Sequence, residues 1–113
     1  MKYLEYKGYT GSIEYSPEDN LLYGKVLGIK GLISFEGETG KLLEQDFREA
    51  IDTYLADCRL TGRSPEKPFK GSFNVRIPAE LHQKAALLAM EAKTSLNSFV
   101  AEAIRSRVAR EPI

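Results

Sequence analysis

Three side chains near the middle of this sequence stand where they could act together: Ser72, Asn74 and Arg76, within "GSFNVRIPAEL", Gly71 to Leu81. They alternate with Phe73, Val75 and Ile77, so an extended backbone puts three hydrogen-bonding groups on one side and three apolar groups on the other. Arginine pairs with guanine through two hydrogen bonds and asparagine does the same with adenine, and a two-stranded ribbon fits the major groove of B-DNA. The chemistry available to this row is the reading of base edges. Pro78 stops the strand and opens a helix.

Other chemistry has little material to work with. Cys58 is the only cysteine and His82 the only histidine. An intrachain disulfide is impossible, and the thiol and imidazole sets of a zinc or nickel site are missing. Cys58 falls on an apolar helical face and reads as a buried small hydrophobe, while His82 lies among polar neighbours near a helix start and reads as a surface residue. Two-metal hydrolysis needs several carboxylates converging on the ions. The strands offer Glu14 and Glu36, and Asp46, Glu49 and Asp52 fall on the outer side of an amphipathic helix, where acids are ordinarily solvated. The expectation is a protein that is not an enzyme and carries no metal and no cofactor.

The elements that must position the reading row follow from periodicity. The chain has 113 residues, enough for one ordinary domain or two very small ones, and its 42% hydrophobic and 28% charged content is that of a globular protein. No apolar run reaches the roughly 18 to 20 residues of a membrane span, and "MKYLEYKGY" lacks the apolar stretch of a signal peptide. A cytoplasmic location without a membrane is the expectation. "TGRSPEKPFKG" combines two prolines and two glycines with little apolar content and marks a change in charge. Residues 1–62 hold seven Lys and Arg against eleven Asp and Glu, whereas residues 63–113 hold nine against five. The division expected is 1–62, a linker over 63–70, and 71–113, with the basic half the better candidate for nucleic acid.

In the front half, "YTGSIEYS", "LLYGKVLGI" and "LISFEG" read as three strands with short turns, hence an antiparallel meander. Alternation in the first puts Ile13, with Tyr9 and Tyr15, on one side. Leu43, Phe47, Ala50, Ile51, Tyr54, Leu55 and Cys58 recur at helical spacing, after Thr39 as N-cap and before Gly62 and Pro65 as stops. A meander covered by one helix is an α+β arrangement. Behind the linker come the short strand, a helix from Ala79 to Lys93, and a second helix capped by Ser95, with Leu96, Phe99, Val100, Ala103, Ile104 and Val108 as its stripe.

One strand and two helices cannot bury both the strand's apolar side and their own stripes. Two copies can, if their strands pair antiparallel and four helices cover one face. Phe73, Val75 and Ile77 would then be the dimer core, and Ser72, Asn74 and Arg76 of both chains would point outward together. An unpaired strand edge is otherwise a liability.

"SFNVRIP" followed by "TSLNSFVAEAI" resembles the ribbon-helix-helix fold of small bacterial repressors, over about residues 71–110. The resemblance implies base contacts from Ser72, Asn74 and Arg76. It also implies phosphate contacts at the start of the second helix, around Ser95, Asn97 and Ser98, where backbone N–H groups are unpaired. With "YKGYTGSIEYSPEDNLLYGKVLGIKGLISFEG" and "LLEQDFREAIDTYLADC" added, nearly the whole chain resembles a HicB-family antitoxin. That family has a partial ribonuclease-H-like domain, a linker and a ribbon-helix-helix domain. It implies a front domain that blocks a small HicA-type, mRNA-cleaving toxin and a back domain that represses the operon from an inverted-repeat operator. It implies a homodimer, with higher oligomers left open. Exposed acids among Glu14, Asp19, Glu36, Glu38, Glu44, Asp46 and Glu49 are the candidates for meeting a basic partner. The alternative is a repressor whose front domain senses a small molecule.

Overall fold

The computed structural model describes residues 2–112. The chain divides into two compact units, Met1–Ser72 and Phe73–Ile113. The architecture is α+β, with two small antiparallel sheets and three helices.

The front unit begins with a hairpin of β1 (Leu4–Tyr6) and β2 (Tyr9–Gly11), which the sequence pattern did not anticipate. Its turn residues Lys7 and Gly8 both have positive φ, 49° and 82°, the backbone a two-residue hairpin loop requires. The stretch expected as one strand over residues 9–16 is broken into β2 and β3 (Glu14–Ser16). At the break Ser12 replaces a regular ladder: its N–H donates to the Lys25 carbonyl and its Oγ accepts from Lys25 N–H, each at 3.0 Å. Gly24 permits this approach, since a Cβ there would collide with the Ser12 carbonyl oxygen. The break corrects the expected alternation. Tyr9 is buried in the core, but Ile13 and Tyr15 are exposed.

Strands β3, β4 (Leu21–Lys25) and β5 (Ser34–Gly37) form the anticipated antiparallel meander in that order. Helix α1 (Gly40–Thr61) covers its inner face. Thr39 Oγ1 accepts from Leu42 N–H at the start, and Gly62, at φ 70°, closes the end. The stripe works as its spacing requires: Leu43, Phe47, Ile51 and Cys58 are fully buried, and the Phe47 ring lies 4.9 Å from that of Phe35. Gly11 leaves room for both rings, because a Cβ there would stand under 3.0 Å from each.

Residues 63–70 carry specific attachments to the front unit. The Glu66 carboxylate accepts from Lys30 N–H at 2.7 Å and Gly31 N–H at 3.0 Å. Tyr9 Oη donates to the Glu66 carbonyl, and Glu66 N–H donates to Tyr54 Oη. Phe69 N–H donates to the Gly28 carbonyl, and the Phe69 ring lies against the bare face of Gly28. Backbone donors hold the Glu66 carboxyl below its ordinary pKa, Lys30 contributing most.

The back unit contains α2 (Ala79–Glu91) and α3 (Leu96–Ala109). Lys93, at φ 56°, ends α2: its N–H reaches the Met90 carbonyl and Thr94 N–H reaches that of Ala89. This is the paired-bond stop usually given to glycine. No described helix is long and apolar enough to cross a membrane.

Candidate nucleic-acid and partner interfaces

Gly71–Ile77 forms no strand ladder within one chain. A three-residue apolar row has nothing to pair with in its own unit, and it is left in solvent: Phe73 is 74% exposed, Val75 60% and Ile77 45%. Ser72, Asn74 and Arg76 are exposed as well. Pro78 stands at the N-cap of α2, and its carbonyl accepts from Leu81 and His82 N–H, both at 3.0 Å. The helices are as incompletely covered as the row. Leu81, Leu88, Val100, Ile104 and Val108 are exposed, and Ala89 is the one apolar residue of this unit that is buried among those described.

At the start of α3, Ser95 Oγ accepts from Ser98 N–H at 3.0 Å and donates to Ser98 Oγ at 2.9 Å. Phe99 N–H then makes the first intrahelical bond, to the Ser95 carbonyl. The Ser98 donor is thus used internally. The N–H groups of Leu96 and Asn97 are the ones this helix end leaves for an external acceptor. Arg105 pairs with Glu102, and Arg107 with Glu111. Arg76, Lys84 and Lys93 have no ion-pair partner among the described residues.

The front unit sorts the seven acids expected to meet a partner. Asp46 accepts from Glu36 N–H at 2.8 Å, which covers that part of the β5 edge. Glu44 lies 4.0 Å from Arg48. Asp19 exchanges hydrogen bonds with Ser16 in the β3–β4 turn. Glu14, Glu36, Glu38 and Glu49 are exposed without an ion-pair partner among the described residues. Asp52 is engaged elsewhere: Lys7 Nζ binds it at 2.8 Å and Tyr6 Oη donates to both its oxygens. The Lys7 hydrogen bond is the main cause that lowers the Asp52 pKa and, reciprocally, raises that of Lys7.

Register adds a residue that the sequence reading passed over. Tyr23 is directly opposite Glu14 on β3 and directly opposite Glu36 on β5. The three form a row across the face turned away from α1. Single-sequence alternation gives a strand two sides but not its neighbours, so this row was invisible before pairing was known. Glu66 was missed for a related reason, its partners lying 35 and 36 residues away.

Cys58 is enclosed, 1% exposed, and His82 is exposed. Among the described residues no group of three or more His, Cys, Asp or Glu side chains is arranged to hold a metal ion.

Residues 54–104 match the model of the HicB family, which supports a HicB-family protein. The matched stretch runs from the later part of α1 through the Glu66 attachment, the Ser72–Arg76 row and α2 into α3. No curated protein and no solved structure matches the chain.

Proposed function

We propose that this chain is the antitoxin of a toxin–antitoxin pair and represses its own operon. The HicB-family match over residues 54–104 carries the reading. The front unit binds a small HicA-type, mRNA-cleaving toxin and blocks it by occupancy, without catalysis and without a metal or cofactor. A fold resembling ribonuclease H serves here as a binding surface only.

The back unit works as a ribbon-helix-helix dimer. Two copies of Gly71–Ile77 pair antiparallel, and Phe73, Val75 and Ile77 of both enter a core beneath four helices. Their exposure in one chain, and that of the α2 and α3 stripes, supports this. Ser72, Asn74 and Arg76 of both chains enter the major groove. Arg76 reads guanine and Asn74 reads adenine through paired hydrogen bonds. The two α3 starts, capped by Ser95, take flanking phosphates on the unpaired N–H groups of Leu96 and Asn97, beside the Asn97 side chain and the Ser98 hydroxyl. A two-fold reader calls for an inverted-repeat operator.

Co-expression with the small reading frame adjacent to this gene tests the reading, scored by growth and by co-purification. Rescue of growth together with a stable complex is expected. Toxicity that persists with no complex would refute the antitoxin role and leave a repressor with a sensing front domain.

A further inference from the structure

On the front unit the observations converge on one face, that of β3, β4 and β5 turned away from α1. The Glu14–Tyr23–Glu36 row crosses all three strands, which sets the backbones of its two glutamates about 10 Å apart at ordinary strand spacing. Tyr23 between them is 40% exposed. Beside the row lies an open cleft of about 450 Å³, bordered by Glu18, Asp19, Leu21, Tyr23 and Glu36. The unit's other acids with known partners are satisfied from within: Asp46 by a backbone N–H, Glu44 by Arg48, Asp52 by Lys7 and Tyr6, and Glu66 by two backbone N–H groups. Glu14 and Glu36 have no ion-pair partner among the described residues, and although Glu38 and Glu49 are also unpaired, only Glu14 and Glu36 flank a tyrosine across three adjacent strands.

We propose that this face is where the front unit holds its protein partner, taking basic side chains of the partner on the Glu14–Tyr23–Glu36 row. The inference rests on the antitoxin reading and specifies its contact surface. A protein that cleaves RNA must itself present cations to phosphates. An arginine or lysine from such a surface meets a ring face in Tyr23, which attracts cations through its quadrupole, and a carboxylate on either side for charge-assisted hydrogen bonds. The cleft alongside accepts the rest of the basic segment. Occupying those cations also removes them from the partner's RNA, which gives inhibition without touching its catalytic groups.

The test measures association and dissociation of the full-length chain with the purified product of the adjacent small reading frame, at low and moderate salt. Three variants are compared with wild type: Glu14→Lys/Glu36→Lys, its neutral counterpart Glu14→Gln/Glu36→Gln, and Tyr23→Ala. A control, Glu5→Lys/Asp57→Lys, makes the same change in net charge on exposed residues away from the row. Charge reversal on the row is expected to slow association by about tenfold or more at low salt and to flatten its salt dependence. The Gln pair shows the same trend more weakly, Tyr23→Ala speeds dissociation, and the control stays near wild type. Equal loss in row and control variants overturns the proposal, because net charge would then suffice. Unchanged kinetics in the row variants overturns it too, with the antitoxin reading intact. Failure of the wild-type chain to bind this product refutes the reading beneath it and removes the proposal with it.

Discussion

The two units solve the same packing problem in opposite ways. In the front unit α1 lays Leu43, Phe47 and Ile51 onto Tyr9, Val26 and Phe35, and one chain supplies both sides of the core. In the back unit the apolar row and both helical stripes have one side only, and Phe73, Val75 and Ile77 stand in water. Both segments are comparably patterned; what differs is whether the complementary surface lies in the same chain. The incomplete unit is the one that carries Ser72, Asn74 and Arg76, side chains of types able to read base edges, and a two-fold completion would double that set. A front unit closed on itself keeps its outer sheet face available for something other than its own folding.

The largest effect should come from closing off the second copy. Val75→Asp places a charge in the proposed dimer core and is expected to abolish operator binding and any concentration-dependent unfolding step. The front unit's own melting transition should stay in place, as calorimetry across protein concentrations would show. A front-unit transition that moves as far as the back one would contradict the contrast. Next comes the complementary break. Phe47→Ala empties a fully buried site and should cost about 3–5 kcal/mol of front-unit stability. Chemical denaturation followed by a probe in each unit would locate the loss, and oligomeric state should be unchanged.

Smaller changes sharpen the back unit. Arg76→Ala and Asn74→Ala should each cost about 1–3 kcal/mol at the operator and relax base preference at one position, with stability near wild type. Titration against single-base operator variants checks both. The smallest effect belongs to the Glu66 attachment. Its carboxyl pKa is lowered in the fold, so the stabilisation is fully present above the ordinary carboxylate range and disappears as pH falls through the depressed value. The protection of the Lys30 and Gly31 amides, taken relative to the intrinsic rate at each pH, should therefore fall in acid, and Glu66→Gln should lower it already at neutral pH.

Much of this was legible in the sequence because helices carry a local code. Thr39, Gly62 and Ser95 bound their helices as capping chemistry requires, and the α1 stripe buries the residues its spacing selects. The alternation from Ser72 to Ile77 is likewise local, but in one chain the segment forms no strand and both sets are exposed, so its two sides belong to the proposed pairing. The misreadings are all non-local. Leu4–Tyr6 is too short for a visible alternation, and Lys7 is not a usual left-handed turn residue, leaving Gly8 as the one signal for that hairpin. The break at Ser12 depends on Gly24 being opposite it. Residues 63–70 have a linker's composition, yet the groups that fasten them are Tyr9, Tyr54, Gly28 and the 30–31 backbone. Nothing within the stretch encodes those distant partners.

The most direct test of the contrast is amide hydrogen exchange along Phe73–Ile77 in the full-length chain, followed from dilute to concentrated solution. Pairing with a second copy predicts fast exchange when dilute and protection at the ladder amides as dimers form, while the α1 core amides stay protected throughout. Exchange at Phe73–Ile77 that remains fast in concentrated solution, with the chain monomeric by sedimentation, would contradict it.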